Sequence, residues 1–216
     1  MAAGRAEKAG WAGFAGPYSA GMTWVREMVA GDAAAVSAVR VAGWRAAYAG
    51  VIPGAYLDAM SVERDAALRE ERFAAGRAAG LRDLVAVGAD GADGRVVGWA
   101  CCGPRDTPGA GAGSGAGAGE GELYALYVRP DLLGRGVGRA LLDAVHDEAG
   151  ARGWGALVLW VVEANARARR FYEAAGYQAD GGAQSEEYDG VPVREVRYRR
   201  AAGDSQSGPA TPRSLR

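Results

Sequence analysis

The chain has 216 residues, 49% of them apolar, with 25 basic against 26 acidic side chains and a net charge of −1. That suffices for one domain with a sizeable core, and so balanced a charge gives no reason to expect nucleic acid or an acidic membrane as partner. No apolar run is long enough to span a bilayer, the N-terminus lacks the compact apolar segment of a signal peptide, and two adjacent cysteines with one histidine make a poor metal site. The expected setting is a reducing cytoplasm, with no metal.

In chain order, residues 1–21 read as a disordered N-terminal segment, 22–200 as the folded domain and 201–216 as a disordered tail. Asp32 is placed to cap a helix whose apolar stripe is Val36, Val39 and Trp44. Ala55 to Arg77 forms a second helical region after Ile52-Pro53-Gly54. Leu84 to Gly88 and Arg95 to Cys102 read as a hairpin turning at residues 90–94. Cys101 and Cys102 fall on its second strand as small buried residues. Gly103 to Gly121, containing GAGAGSGAGAGEG, is too long and featureless for an ordinary connection and reads as a flexible linker.

The next stretch is the most informative. Glu122 to Val128 is apolar on both faces, with Leu123, Ala125 and Tyr127 pointing one way and Tyr124, Leu126 and Val128 the other. Such a strand lies in the middle of a sheet, and Pro130 ends it. Leu141, Leu142, Val145 and Ala149 then recur at helical spacing, with Arg139, Asp143, His146 and Asp147 on the polar side. Gly150 and Gly153 mark the helix end. Ala156 to Val162 is a second buried strand, so the three pieces make a parallel crossover. The helix opens at Gly134-Arg135-Gly136-Val137-Gly138. Glycines there let a ligand approach the backbone, and the first helical N–H groups have no intrahelical partner. The turn therefore suits a pyrophosphate, although a glycine-rich turn also arises for purely steric reasons. A dinucleotide fingerprint would need glycine at Arg139 or Leu141, and a P-loop would need a lysine where none follows; Lys8 is the only lysine. NAD and ATP are disfavoured.

Asn165 is a natural N-cap and Gly176 a natural residue after a helix, which leaves about ten helical residues between them. Ala168 and Phe171 face the core, and Tyr172 emerges on another side. Taken alone, Phe171 and Tyr172 also fit two core aromatics. Glu186 to Tyr198 reads as a final strand pair turning at Asp189-Gly190.

Residues 122–176 resemble the acetyl-CoA-binding core of the GCN5-related N-acetyltransferase (GNAT) family. The family's Q/R-x-x-G-x-G/A motif is matched by the glycines of Leu133-Gly134-Arg135-Gly136-Val137-Gly138, with Leu133 in place of the usual Gln or Arg. Its later signature is matched by Asn165, Ala168, Phe171-Tyr172-Glu173 and Gly176-Tyr177. More weakly, the likeness extends over residues 22–200, with a first strand near Val25.

The resemblance implies an α/β fold. Its sheet would be mixed, mostly antiparallel and six- to seven-stranded, with a central parallel pair splayed apart and about four flanking helices. It implies an N-acetyltransferase that moves an acetyl group from acetyl-CoA to a primary amine of a small molecule or a peptide N-terminus, by direct attack in a ternary complex. The alternative is a non-catalytic acyl-CoA-binding domain acting as sensor or partner. A homodimer is compatible with either. The backbone of Leu126, Tyr127 and Val128 would hold pantetheine; Gly134, Arg135, Gly136, Val137, Gly138 and Arg139 would hold the pyrophosphate, assisted by Asn165. Tyr172 would protonate or stabilise the departing sulfur. Glu122 is the candidate general base, with a solvated strand-end glutamate as the plainer reading and Glu163 as a rival. Trp44, Tyr48 and Tyr56 would line the acceptor pocket under the first two helices, and Trp160 would sit in the core.

Overall fold

The computed structural model describes residues 23–88, 95–105 and 119–202. The expected disordered segment 1–21, the hairpin turn at 90–94, the middle of the glycine-alanine linker and the tail beyond residue 202 lie outside the described residues. In chain order the elements are β1 (Thr23–Glu27), α1 (Ala33–Ala47), α2 (Gly54–Ala59), α3 (Val62–Ala78), β2 (Arg82–Gly88), β3 (Arg95–Pro104) and β4 (Glu120–Val128). There follow α4 (Val137–Ala151), β5 (Ala156–Val162), α5 (Ala166–Ala174), β6 (Gln178–Tyr188) and β7 (Val191–Ala201). The seven strands form one sheet in the order β1-β2-β3-β4-β5-β7-β6. Only β4 and β5 are parallel; the other five neighbouring pairs are antiparallel. Strands β3 and β4 reach further into the expected linker than the pattern predicts, to Pro104 and back to Glu120.

The helices cover both faces. Leu141, Leu142 and Val145 of α4 are fully buried against Leu123, Val128, Leu157 and Leu159, and α5 adds Phe171 and Tyr172 to the same cluster. Burying one such side chain is worth about 1.5–3 kcal/mol, so this amphipathic stripe fixes the α4 face. Glycine lets the helix come that close: a Cβ on Gly98 would stand 2.9 Å from Leu141 Cδ1 and 3.1 Å from the Tyr127 carbonyl oxygen. On the other face, Val36 of α1 packs with Met28, Val85, Val87 and Trp99, and Phe73 of α3 leans on that cluster.

Local chemistry corrects three expectations. Asp32 precedes α1 but does not cap it with its side chain. Its carboxylate instead accepts from the Arg26 guanidinium at 2.7 and 2.9 Å and from the Val29 N–H at 2.8 Å. The second helical region is broken in two, because Met60 and Ser61 are extended and the Ser61 hydroxyl accepts from Arg64 N to start α3 afresh. Strand β4 does not alternate simply. Cys101 of β3 is in register with Ala125, but Cys102 is in register with Leu123. Tyr124 is therefore an extra residue, a β-bulge. It turns Leu123 onto the α4 face with Leu126 and Val128, while Ala125 and Tyr127 face α1.

Candidate active site

The bulge marks where the parallel pair comes apart. Residues Glu120–Leu123 pair with Ala156–Leu159. Beyond them Ala125–Val128 pair only with β3, and Trp160–Val162 only with β7. A wedge opens between, into which the backbone edge of Leu126, Tyr127 and Val128 faces.

On the α4 side of the wedge lies the glycine turn. Gly134 has φ +80° and Gly136 φ +86°, and a Cβ at either would meet nothing within 4 Å. Left-handed backbone of this kind favours glycine. Gly136 is the N-cap of α4 and offers no side-chain cap, so the first N–H groups of α4 lie at the positive end of the helix dipole without one. The structure also separates backbone from side-chain contributions among the predicted contacts. Val137 is buried in the core and Arg139 bonds Asp143 at 2.8 Å, so both offer the turn their N–H groups. Leu133 is 39% exposed. Asn165 caps α5 through its Oδ1, which accepts from Ala168 N at 3.1 Å. Tyr172 does not emerge to the surface as its position suggested; it is 8% exposed and packed edge-on against Phe171 and Tyr177. Burial, with the Tyr127 and Tyr177 phenols beside it, pushes the Tyr172 hydroxyl up from its ordinary range. It stays a protonated phenol at neutral pH.

On the α1 side lies a cavity of about 250 Å³. Trp44 of α1 and Tyr48, the residue that ends it, line the cavity together with Glu122, Tyr124 and Tyr127 of β4. Trp44 Nε1 donates to the Tyr127 hydroxyl at 2.8 Å. Burial pushes the Tyr48 and Tyr127 hydroxyls up, so both are neutral phenols. Tyr56 is not on the wall: it stands one row behind, its ring 5.1 Å from Tyr188 and 6.3 Å from Trp44. Glu122 faces the cavity with Arg105 Nε at 3.9 Å from its Oε2. Its rival Glu163 lies off the wall, exposed and paired with Arg194 at 3.3 Å.

The last two strands add wall residues that were not foreseen: Gln184, Glu186 and Tyr188 of β6, and Glu195 of β7. Trp160, expected in the core, lines the cavity as well, with the Arg197 guanidinium 5.7 Å from its ring. The signal available was the period-2 spacing of Gln184, Glu186 and Tyr188, which places all three on one face of a strand.

The sequence profile of the acetyltransferase (GNAT) family matches residues 54–177, more than half of the chain. The chain belongs to the GNAT family. An uncharacterized N-acetyltransferase of Mycobacterium bovis is 37% identical over 112 residues, which cover 48% of this chain and 63% of that protein. Mycothiol acetyltransferase of Beutenbergia cavernae is 48% identical over 56 residues, 26% of this chain and 19% of that protein. The chain thus spans less than two thirds of the length of either relative. The structure of yncA from Salmonella typhimurium with its cofactor acetyl-CoA has the same GNAT fold. It is 20% identical with a TM-score of 0.62, over 90% of this chain and 99% of that one. Among the described residues, no helix is long and apolar enough to cross a membrane, and no three metal-ligating side chains gather at one point.

Proposed function

We propose that this GNAT protein is an N-acetyltransferase that moves an acetyl group from acetyl-CoA directly to a primary amine held in the α1-side cavity. One observation carries the reading: the bulge at Tyr124 opens a wedge with an open glycine turn on one side and a carboxylate-bearing cavity on the other. The residues fit coenzyme A. The turn is open where a Cβ would stand, the helix N-terminus suits a pyrophosphate, and the backbone edge of Leu126 to Val128 suits an extended amide-bearing arm. Acetyl-CoA, when bound, supplies an acyl group activated as a thioester.

The chain's own residues then have separate tasks. Glu122 takes the proton that the ammonium must lose before its nitrogen can attack, directly or through a water. The cavity wall holds that nitrogen against the acyl carbon, which converts an encounter into an intramolecular step. As the new C–N bond forms and the C–S bond breaks, the acylated nitrogen gives up its second proton to water, and the Tyr172 hydroxyl gives its own to the departing sulfur. Tyr172 regains a proton from solvent before the next turnover. Purified protein with acetyl-CoA and a panel of amines should release free thiol only when an amine is present. Coenzyme A binding without thiol release from any amine would leave the binding-domain reading in its place.

A further inference from the structure

The α1-side cavity has walls of two kinds. Trp44, Trp160 and Tyr188 present rings, and Glu122, Glu186 and Glu195 present carboxylates. Among the described residues, no arginine, lysine or histidine lines it. The carboxylates stand at two poles. Glu122 on β4 is in register with Val158 of β5, whereas Glu195 on β7 is in register with Val162. Those levels are four residues apart, about 13 Å of strand rise. Glu186 belongs to the second pole, since its register partner Val193 is two residues from Glu195.

The poles are answered differently. Arg105 faces Glu122 at 3.9 Å. At the second pole the partners among the described residues are neutral: Gln184 Nε2 donates to Glu195 at 2.8 Å, and the Tyr188 hydroxyl donates to Glu186 at 2.7 Å. The arginines on either side of Glu195 in sequence pair elsewhere, Arg194 with Glu163 and Arg197 with Asp180. Glu195 also acts on Tyr48, Tyr127 and Tyr188, which places its charge amid the cavity phenols.

Resting on the acyl-transfer reading above, we infer that the acceptor is a small alkyl amine bearing a second positive charge. One nitrogen enters the wedge beside Glu122, and the distal ammonium sits between Glu186 and Glu195 against the ring of Tyr188, since the Arg40 guanidinium already lies 5.0 Å from the Trp44 ring. Carboxylates that meet only neutral partners among the described residues attract a cation, less strongly across a partly exposed wall than in a dry interior. Ring faces add a cation–π attraction that a neutral or anionic tail does not receive. The cavity, about 250 Å³, is at the small end for ligand sites, which suits a free diamine and not a folded surface.

The test uses the whole chain and three four-carbon amines that differ only at the far end: putrescine with an ammonium, n-butylamine with a methyl, and γ-aminobutyrate with a carboxylate. Thiol release should show kcat/KM for putrescine about tenfold or more above n-butylamine, equivalent to about 1.4 kcal/mol, and γ-aminobutyrate should be poorest. Glu195→Gln, and separately Glu186→Gln, should draw the putrescine-to-butylamine ratio toward one. The proposal is overturned if n-butylamine or γ-aminobutyrate serves as well as putrescine, or if both variants keep the wild-type ratio; the acetyltransferase reading survives either result. If no amine releases thiol, calorimetry of putrescine into the coenzyme A complex decides. Binding that weakens in both variants supports the pocket, and no binding overturns it. Failure of coenzyme A itself to bind sinks the underlying reading.

Discussion

On the α4 side of the wedge the site is made of backbone: two left-handed glycines, the first N–H groups of a helix and the open edge of β4. On the α1 side it is made of side chains drawn from α1, β4, β5, β6 and β7. A backbone site is specified by a few neighbouring residues, mostly glycines, and tolerates variation around them. A side-chain site is specified by residues brought together from positions 44 to 195, and each one can change what is recognised. On the proposed reading, the cofactor side is therefore the generic one and the acceptor side the one where single side chains decide recognition.

Changing the generic side should have the largest effect. Gly136→Asp puts a side chain and a negative charge where the turn is open and forces φ +86° on a residue that resists it. Wild-type protein with coenzyme A a hundredfold above Kd should gain about 2.7 kcal/mol of stability. The variant should gain none in a thermal shift measurement, while its unliganded form loses only the cost of a left-handed non-glycine residue, about 1–2 kcal/mol, because a Cβ there meets nothing within 4 Å. Undiminished stabilisation would remove the phosphate role from this turn.

Tyr172→Phe sharpens the division between the faces. The ring keeps its place against Phe171 and Tyr177, and only the hydroxyl is lost. The loss should appear in kcat, by about 10²-fold at the low end of general-acid effects because a thiolate leaves readily, with coenzyme A affinity unchanged. Wild-type kcat under conditions where chemistry limits the rate would make Tyr172 a packing residue.

These differences explain what the sequence made legible. The strand, glycine turn, helix and strand of 122–162 are contiguous, so periodicity and punctuation placed them, including the Asn165 cap. The bulge was not legible. Tyr124 has the same apolar character as its neighbours, and only the register of β3 against β4 reveals it as extra. That one residue reverses which face Leu123 occupies. Trp160 read as core because the run from Ala156 to Val162 is uniformly apolar; the splay leaves its side chain at a cavity instead. Glu195 was hidden in a strand rich in arginine, where a glutamate looks like a surface charge until the fold brings Tyr48 and Tyr188 beside it.

Glu122→Gln tests the particular side with a smaller, conditional effect. Turnover should fall roughly tenfold at low pH, where the amine is mostly protonated, and recover as pH rises toward the amine's own pKa. Coenzyme A affinity should not change, because Glu122 faces the α1-side cavity. A pH profile parallel to wild type at every point would remove the base role from Glu122 and leave it to a water chain.

The smallest effect belongs to a residue that serves neither side. His146 lies on α4 well past the glycine turn, stacked on Tyr177 with Nε2 3.1 Å from its hydroxyl. Burial, helped by the Arg200 charge, lowers its pKa from 6.5 to about 4. The folded state therefore resists a proton that the unfolded chain accepts. The stability linked to this neutral histidine is fully present above about pH 6.5 and drains away as pH falls toward about 4. After allowance for partial exposure the loss is on the order of 1–2 kcal/mol. His146→Gln keeps a polar group beside Tyr177 and removes the titration. Between pH 7 and pH 4.5 the wild-type melting temperature should fall further than the variant's by roughly 2–4 °C, with coenzyme A affinity and turnover at neutral pH the same in both. Parallel melting curves across that range would mean that another group carries the acid sensitivity of this end of α4.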